Sequence, residues 1–153
     1  MKKNNNGFTI IEVVLVLAIA GLIFLAVFIA LPALQRGQRD NQRRSDAARF
    51  ASQLQSYATN NNSKVPTASN IAAFSTNYLT NSPEGFKDPS TGNSYTITVP
   101  STLTTVSSST GGFHYHPGYK CNDEAVVASS GSRIAAITIK LEGSGVYCLD
   151  SQK

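Results

Sequence analysis

Nineteen consecutive residues, Val13–Leu31, carry no charged and no polar side chain. Wound as an α-helix at about 1.5 Å per residue, such a run matches the ~30 Å hydrocarbon core of a bilayer. A cleavable secretory signal is the competing reading. Its apolar region is shorter, about 7–15 residues, and ends in a small-x-small site. Here the run leaves through Ala30-Leu31-Pro32-Ala33, which offers no good pair of that kind. The expectation is a retained membrane helix.

The remaining residues restrict the function classes. The chain has 153 residues, enough for one domain with a modest core. Only 14 % of it is charged, and 18 Ser, 13 Thr and 12 Asn take up the balance. This composition describes a neutral polar surface. The net charge of +4 is local. Lys2 and Lys3 precede the apolar run, and Arg36, Arg39, Arg43, Arg44 and Arg49 follow it, with Asp40 and Asp46 among them. From residue 51 onward six basic and six acidic side chains cancel. That distribution argues against nucleic acid as a general ligand, because such a face needs clustered Lys and Arg on the folded domain. Two cysteines are too few for a disulfide-rich scaffold or a four-cysteine zinc site.

Glu12 stands at the head of the apolar run, where a carboxylate is costly and usually has a functional partner. The basic, polar leader MKKNNNG precedes it, followed by Phe8-Thr9-Ile10-Ile11-Glu12-Val13. This arrangement resembles the type IV pilin family, specifically the class III signal of prepilins, in which G-F-T-x-x-E opens an apolar helix. The resemblance implies that a membrane-embedded prepilin peptidase cuts between Gly7 and Phe8. It also implies that the new amine of Phe8 is methylated and that the mature chain covers residues 8–153. The leader's charges would be expensive to bury in a fibre, so their removal releases the apolar segment for assembly. Glu12 follows the new amine at helical i,i+4 spacing. By the family reading it meets the N-terminal amine of a neighbouring subunit and fixes axial register. Family members often carry a mid-helix glycine and a later proline between which helix is lost in the fibre. Gly21 and Pro32 are the helix-melting candidates, although Pro32 follows at a longer interval than is usual. A kink at the membrane exit is the alternative for Pro32.

Residues 35–46 have no apolar face, and the apolar pattern resumes as Ala47, Phe50, Ala51, Leu54, Tyr57 and Ala58. Those spacings of three and four define one helical face. Asn60–Ser63 and Pro66 end it. The expectation is one helix over roughly 8–60, with a membrane half, a polar neck and an amphipathic half. Three roles are open to the arginine neck: a solvated face, which is the expected one, lipid headgroup contact, or pairing with carboxylates of neighbouring subunits. The neck's five arginines favour the cytoplasm by the positive-inside rule, against the leader's two lysines. The prepilin signal implies the reverse, with the head outside, and it takes precedence because a dedicated export route can override charge bias.

Beyond residue 60, Ile71, Phe74, Tyr78 and Leu79 fit a short helix, and Asn81–Gly85 and Lys87–Asn93 are dense in turn residues. Asp88–Tyr95 is similar to the turn leading into the first strand of pilins. Asp88, Asn93 and Glu84 offer oxygen donors without a regular calcium-loop spacing. Strand patterns follow at Tyr95–Val99, Gly112–Gly118, Glu124–Ala128, Arg133–Leu141 and Gly145–Leu149, with Leu103–Val106 either strand or loop. Ser129–Ser132 reads as a hairpin-like connection between the third and fourth of these. His114 and His116 share one strand face and are expected at the surface; two histidines make only half of a metal site. The expected fold is α+β, with the long helix covering an antiparallel sheet of about four strands.

The segments are then residues 1–7 as leader, 8–34 as transmembrane and assembly helix, 35–60 as neck and amphipathic helix, and 61–153 as head. The family commonly has a C-terminal cysteine pair enclosing a loop, and Cys121 and Cys148 are placed to match it around the last hairpin. No phosphate loop, nucleophile elbow or carboxylate pair points to an enzyme, and no cofactor or metal is expected. The resemblance implies a structural subunit of a type IV pilus-like surface filament, serving adhesion, twitching motility or DNA uptake. Its partners would be copies of itself, the prepilin peptidase, an assembly platform and ATPase, and the cytoplasmic membrane before export to the fibre. The alternatives are a pseudopilin of a type II secretion or competence system, and a single-pass membrane-anchored ligand-binding protein.

Overall fold

The computed structural model describes residues 7–81, 85–101, 110–129, 131–143 and 145–152. The leader lysines, Glu84 and the segment Leu103–Val106 therefore lie outside the described residues. The chain divides into two compact units, residues 1–36 and 37–153.

Helix α1, Ile10–Asn60, is continuous through both Gly21 and Pro32. In the first unit its side chains meet no core: Leu17, Leu22, Phe24 and Phe28 are all about two-thirds exposed or more. This is the one helix, among the described residues, long and apolar enough to cross a membrane. In the second unit α1 buries Ala47, Phe50, Ala51, Leu54 and Ala58, the stripe that the spacing predicts, and Tyr57 packs against it. The helix ends where the asparagine run begins. Asn62 and Ser63 turn left-handed, and the Ser63 N–H bonds back to the Ala58 carbonyl at 2.8 Å.

Helix α2, Ile71–Phe74, widens into a π-helical turn at Ser75–Thr80. A π turn brings residues five apart closer to one face, so Phe74 and Leu79 are both buried. Six strands follow: β1 (Thr96–Thr98), β2 (Gly112–Pro117), β3 (Tyr119–Asn122), β4 (Ala125–Ala128), β5 (Ala135–Lys140) and β6 (Val146–Asp150). Four of them form a sheet in the order β1-β2-β5-β6, and β3 and β4 form a separate two-stranded ribbon.

Two expectations about pairing need correction. β1 runs parallel to β2, pairing Thr96 with Gly112 and Thr98 with His114, whereas β2–β5 and β5–β6 are antiparallel. Side-chain alternation marks a strand but not its direction, and the stretch from Val99 to Gly111 is long enough for the crossover that parallel pairing requires. Nor do β4 and β5 form a hairpin. Ala135–Ile139 are buried on both faces, which places β5 in the centre of the sheet, while β4 turns back onto β3. Gly118, at φ 82°, makes the sharp corner between β2 and β3, a conformation that suits glycine.

The core of the second unit lies between α1 and one face of the sheet. Phe50 is fully buried, with its ring 5.5 Å from Phe113, 5.8 Å from Phe74 and 6.1 Å from Phe86 and Tyr115. The helix covering an antiparallel-rich sheet makes the fold α+β, as expected.

Candidate processing and assembly segment

Gly7, Phe8 and Thr9 precede the first helical residue and are all exposed; Phe8 retains 90 % of its surface. The Val13 N–H donates to the Thr9 carbonyl, so Thr9 is the N-cap of α1. Its hydroxyl and its backbone N–H both donate to Glu12 Oε2, at 2.9 and 3.0 Å. The Glu12 N–H returns a long bond of 3.4 Å to the Thr9 hydroxyl. This is a capping box: one side chain from each end of the first turn satisfies a backbone donor at the other. A carboxylate there also favours the positive end of the helix dipole. The Thr9-x-x-Glu12 spacing is the sequence signal of this cap. Gly21 and Pro32 sit within unbroken helix.

The arginine neck has a second role. Arg43 is fully buried on the same stripe as Phe50. Its Nη2 lies 2.7 Å from Asp88 and 2.8 Å from Glu142, and its Nη1 lies 3.1 Å from Asp40. Arg39 forks onto Glu142, with Nη2 at 2.6 Å and Nε at 2.9 Å. Asp40 accepts the backbone N–H groups of Glu142 and Gly143, each at 2.8 Å. A β-carbon at Gly143 would meet Asp40 Oδ2 at 3.1 Å, so a glycine suits this close approach. Burial opposes ionisation of Asp40, but those two N–H donors and Arg43 hold it below the ordinary carboxylate range. Glu142 is also lowered, chiefly by Arg39 and then by Arg43. One turn of α1 thereby gathers the Asp88 loop and the β5–β6 turn.

The expectation of a solvated arginine face is thus corrected for Arg39 and Arg43. Arg49 likewise donates to the Gly85 and Leu79 carbonyls, at 2.9 and 3.3 Å. Arg44 remains exposed, above the ring of Tyr147. The signal for this was the spacing of Asp40, Arg43 and Asp46, which continues the apolar stripe of Ala47, Phe50 and Leu54 into the charged neck. Asp46 accepts the Tyr95 hydroxyl at 2.9 Å, and burial pushes its carboxyl above the usual range.

The Asp88 carboxylate is occupied by Arg43 and by the hydroxyls of Ser90 and Thr91. Among the described residues no group of three His, Cys, Asp or Glu side chains is arranged to hold a metal ion. His116 is buried, not at the surface: it retains 3 % of its exposure, with Nε2 3.4 Å from the Thr138 hydroxyl and the Tyr119 ring packed near it. The connection from β2 into β3 brings Tyr119 near this face, which alternation along one strand does not reveal. Burial, reinforced by neighbouring His114, pushes the His116 imidazole down to about 4. Cys121 and Cys148 form a disulfide that joins β3 to β6, with Cα atoms 5.8 Å apart. It therefore ties the ribbon to the sheet and does not close a single hairpin. The Cys121 N–H adds a bond of 2.7 Å to Asp150.

Residues 2–28 match the family model described as the prokaryotic N-terminal methylation motif. The chain carries the class III signal of type IV pilins. No curated protein and no solved structure matches the chain. The prepilin signal supports a type IV pilin-like or pseudopilin protein, a structural class and not an enzyme class. It implies processing by a prepilin peptidase and assembly into a filament. With the apolar, unburied half of α1, it fits a membrane-anchored precursor.

Proposed function

We propose that the chain is a structural subunit of a type IV pilus-like surface filament, assembled through residues 8–34. The observation that carries this reading is the methylation motif at residues 2–28 on a helix whose large apolar side chains are exposed among the described residues. Such a surface has two environments available to it: lipid before assembly and identical helices after it.

The sequence of events follows from the chemistry of the segment. The leader, with Lys2 and Lys3, holds the precursor in the membrane. Cleavage between Gly7 and Phe8 removes that polar anchor and creates a cationic amine. In the apolar centre of a fibre this amine requires a carboxylate, and Glu12 is the only charged side chain in residues 8–34. Each incoming subunit adds at the position where its amine meets a neighbour's Glu12, which sets the axial step. Gly21 and Pro32 mark where α1 can lose helix as the fibre packs. The head is displayed outside, with the Cys121–Cys148 bond stabilising the ribbon in an oxidising compartment.

The test is the ratio of sheared surface fibre to membrane-held subunit. Glu12→Gln should leave the head folded and the Gly7–Phe8 bond cut, while this ratio falls at least tenfold. Normal fibre yield from Glu12→Gln would remove Glu12 from assembly. A chain that is processed but never reaches sheared fibres, even at wild type, would favour the pseudopilin reading.

A further inference from the structure

The start of α1 is fixed by Thr9, and its position bears on the bond to be cut. A peptide bond inside a helix has its carbonyl engaged and its backbone curled. A peptidase cleft takes its substrate extended, as sheet-like peptide recognition does. The Gly7–Phe8 bond lies just outside α1, in a stretch of no regular structure, with nothing within 4 Å of where a Gly7 side chain would be. What keeps it outside is the capping box, in which Thr9 and Glu12 satisfy the first-turn donors at Thr9 and no earlier. The leader supplies rival stops. Asn4, Asn5 and Asn6 belong to the residue types that cap helices best. A helix that lost its cap at Thr9 would find its next one there and draw the scissile bond into its first turn.

We infer that Thr9 is a positioning residue for precursor cleavage, ending α1 beyond the Gly7–Phe8 bond and so presenting that bond extended. The inference rests on the prepilin reading and assigns Thr9 a part in its first step. In that step water adds across the amide: its oxygen joins the Gly7 carbonyl carbon, the C–N bond breaks, and Phe8 leaves with the proton as an amine. Thr9 takes no part in the bond changes and acts on the fraction of precursor in the cleavable conformation.

The experiment is cleavage of the full-length precursor, in lipid vesicles, by a purified prepilin peptidase. Thr9→Val keeps size and removes the hydroxyl. It should raise KM about fivefold with kcat unchanged, because a smaller fraction of substrate is competent. Thr9→Ser restores the cap and should restore KM. Glu12→Gln preserves a capping box and should be cut like wild type, which separates this role from that of the Glu12 charge. A wild-type KM for Thr9→Val, or a Thr9→Ser variant as slow as Thr9→Val, overturns the inference. A wild-type chain left uncut overturns the prepilin reading and this inference with it.

Discussion

Arg43 has no surface left and three carboxylates around it, Asp40, Asp88 and Glu142. Replacing the buried cation by an apolar residue leaves Asp40 and Asp88 without a cation, while Glu142 keeps Arg39; removing one partner of a buried pair costs about 3–5 kcal/mol. Arg43→Leu should therefore lower the unfolding free energy of the head by that order, measured by urea titration of the full chain in detergent, and Arg43→Lys should recover only part because Lys lacks the fork. An unchanged midpoint for Arg43→Leu would mean that the cluster adds nothing net. His116 gives a second residue-scale prediction. Its folded imidazole resists protonation down to about 4, whereas an unfolded histidine takes up a proton near 6.5. The unfolded state then binds more protons between these values, so stability is complete above pH 6.5 and falls as the pH drops toward 4, by up to ~1.4 kcal/mol per pH unit. Unfolding titrations at pH 7 and 4.5 should show this loss in the wild type and a smaller one in His116→Phe. Equal losses would place the acid sensitivity elsewhere.

Among the elements, α1 was the most legible in the sequence. Its apolar run, its stripe through Phe50 and Leu54 and its asparagine-rich end each follow from helical spacing and capping chemistry, and each is where the spacing puts it. The charged neck is the part where sequence and structure part company, because charge alone points to solvent. Its partners Asp88 and Glu142 lie far along the chain, and no local pattern announces an ion pair across that distance. The strands were legible as strands, but their pairing was not. The central place of β5 is settled by burial on both faces of the sheet, and the direction of β1 by its pairing with β2, both of them tertiary properties. The same holds for the cysteine pair, whose bond connects the ribbon to β6. In the loop-entropy description a bridge of this span is worth about 3.6 kcal/mol. Cys148→Ser should lower stability by that order and release the ribbon first, seen as faster amide exchange over Tyr119–Ala128 than over β5. Uniform exchange across ribbon and sheet would show that the ribbon is held by its other contacts.

For the whole molecule, the two units differ in what they bury. Residues 37–153 bury an aromatic core and pair Arg39 and Arg43 with Asp40, Asp88 and Glu142. The apolar part of residues 1–36 leaves its large side chains exposed, and on the proposed reading lipid and then copies of itself cover them. The division follows from the sequence, since the apolar run ends where the charged stripe begins. On the proposed reading, the signal at residues 2–28 gives this division a direction in time, from membrane to filament. The most direct test is the intact mass of the chain recovered from sheared surface fibres. The account predicts a subunit that begins at Phe8, carries one added methyl group and has Cys121 and Cys148 oxidised. A fibre subunit that still begins at Met1, or fibres that lack this chain altogether, would contradict it.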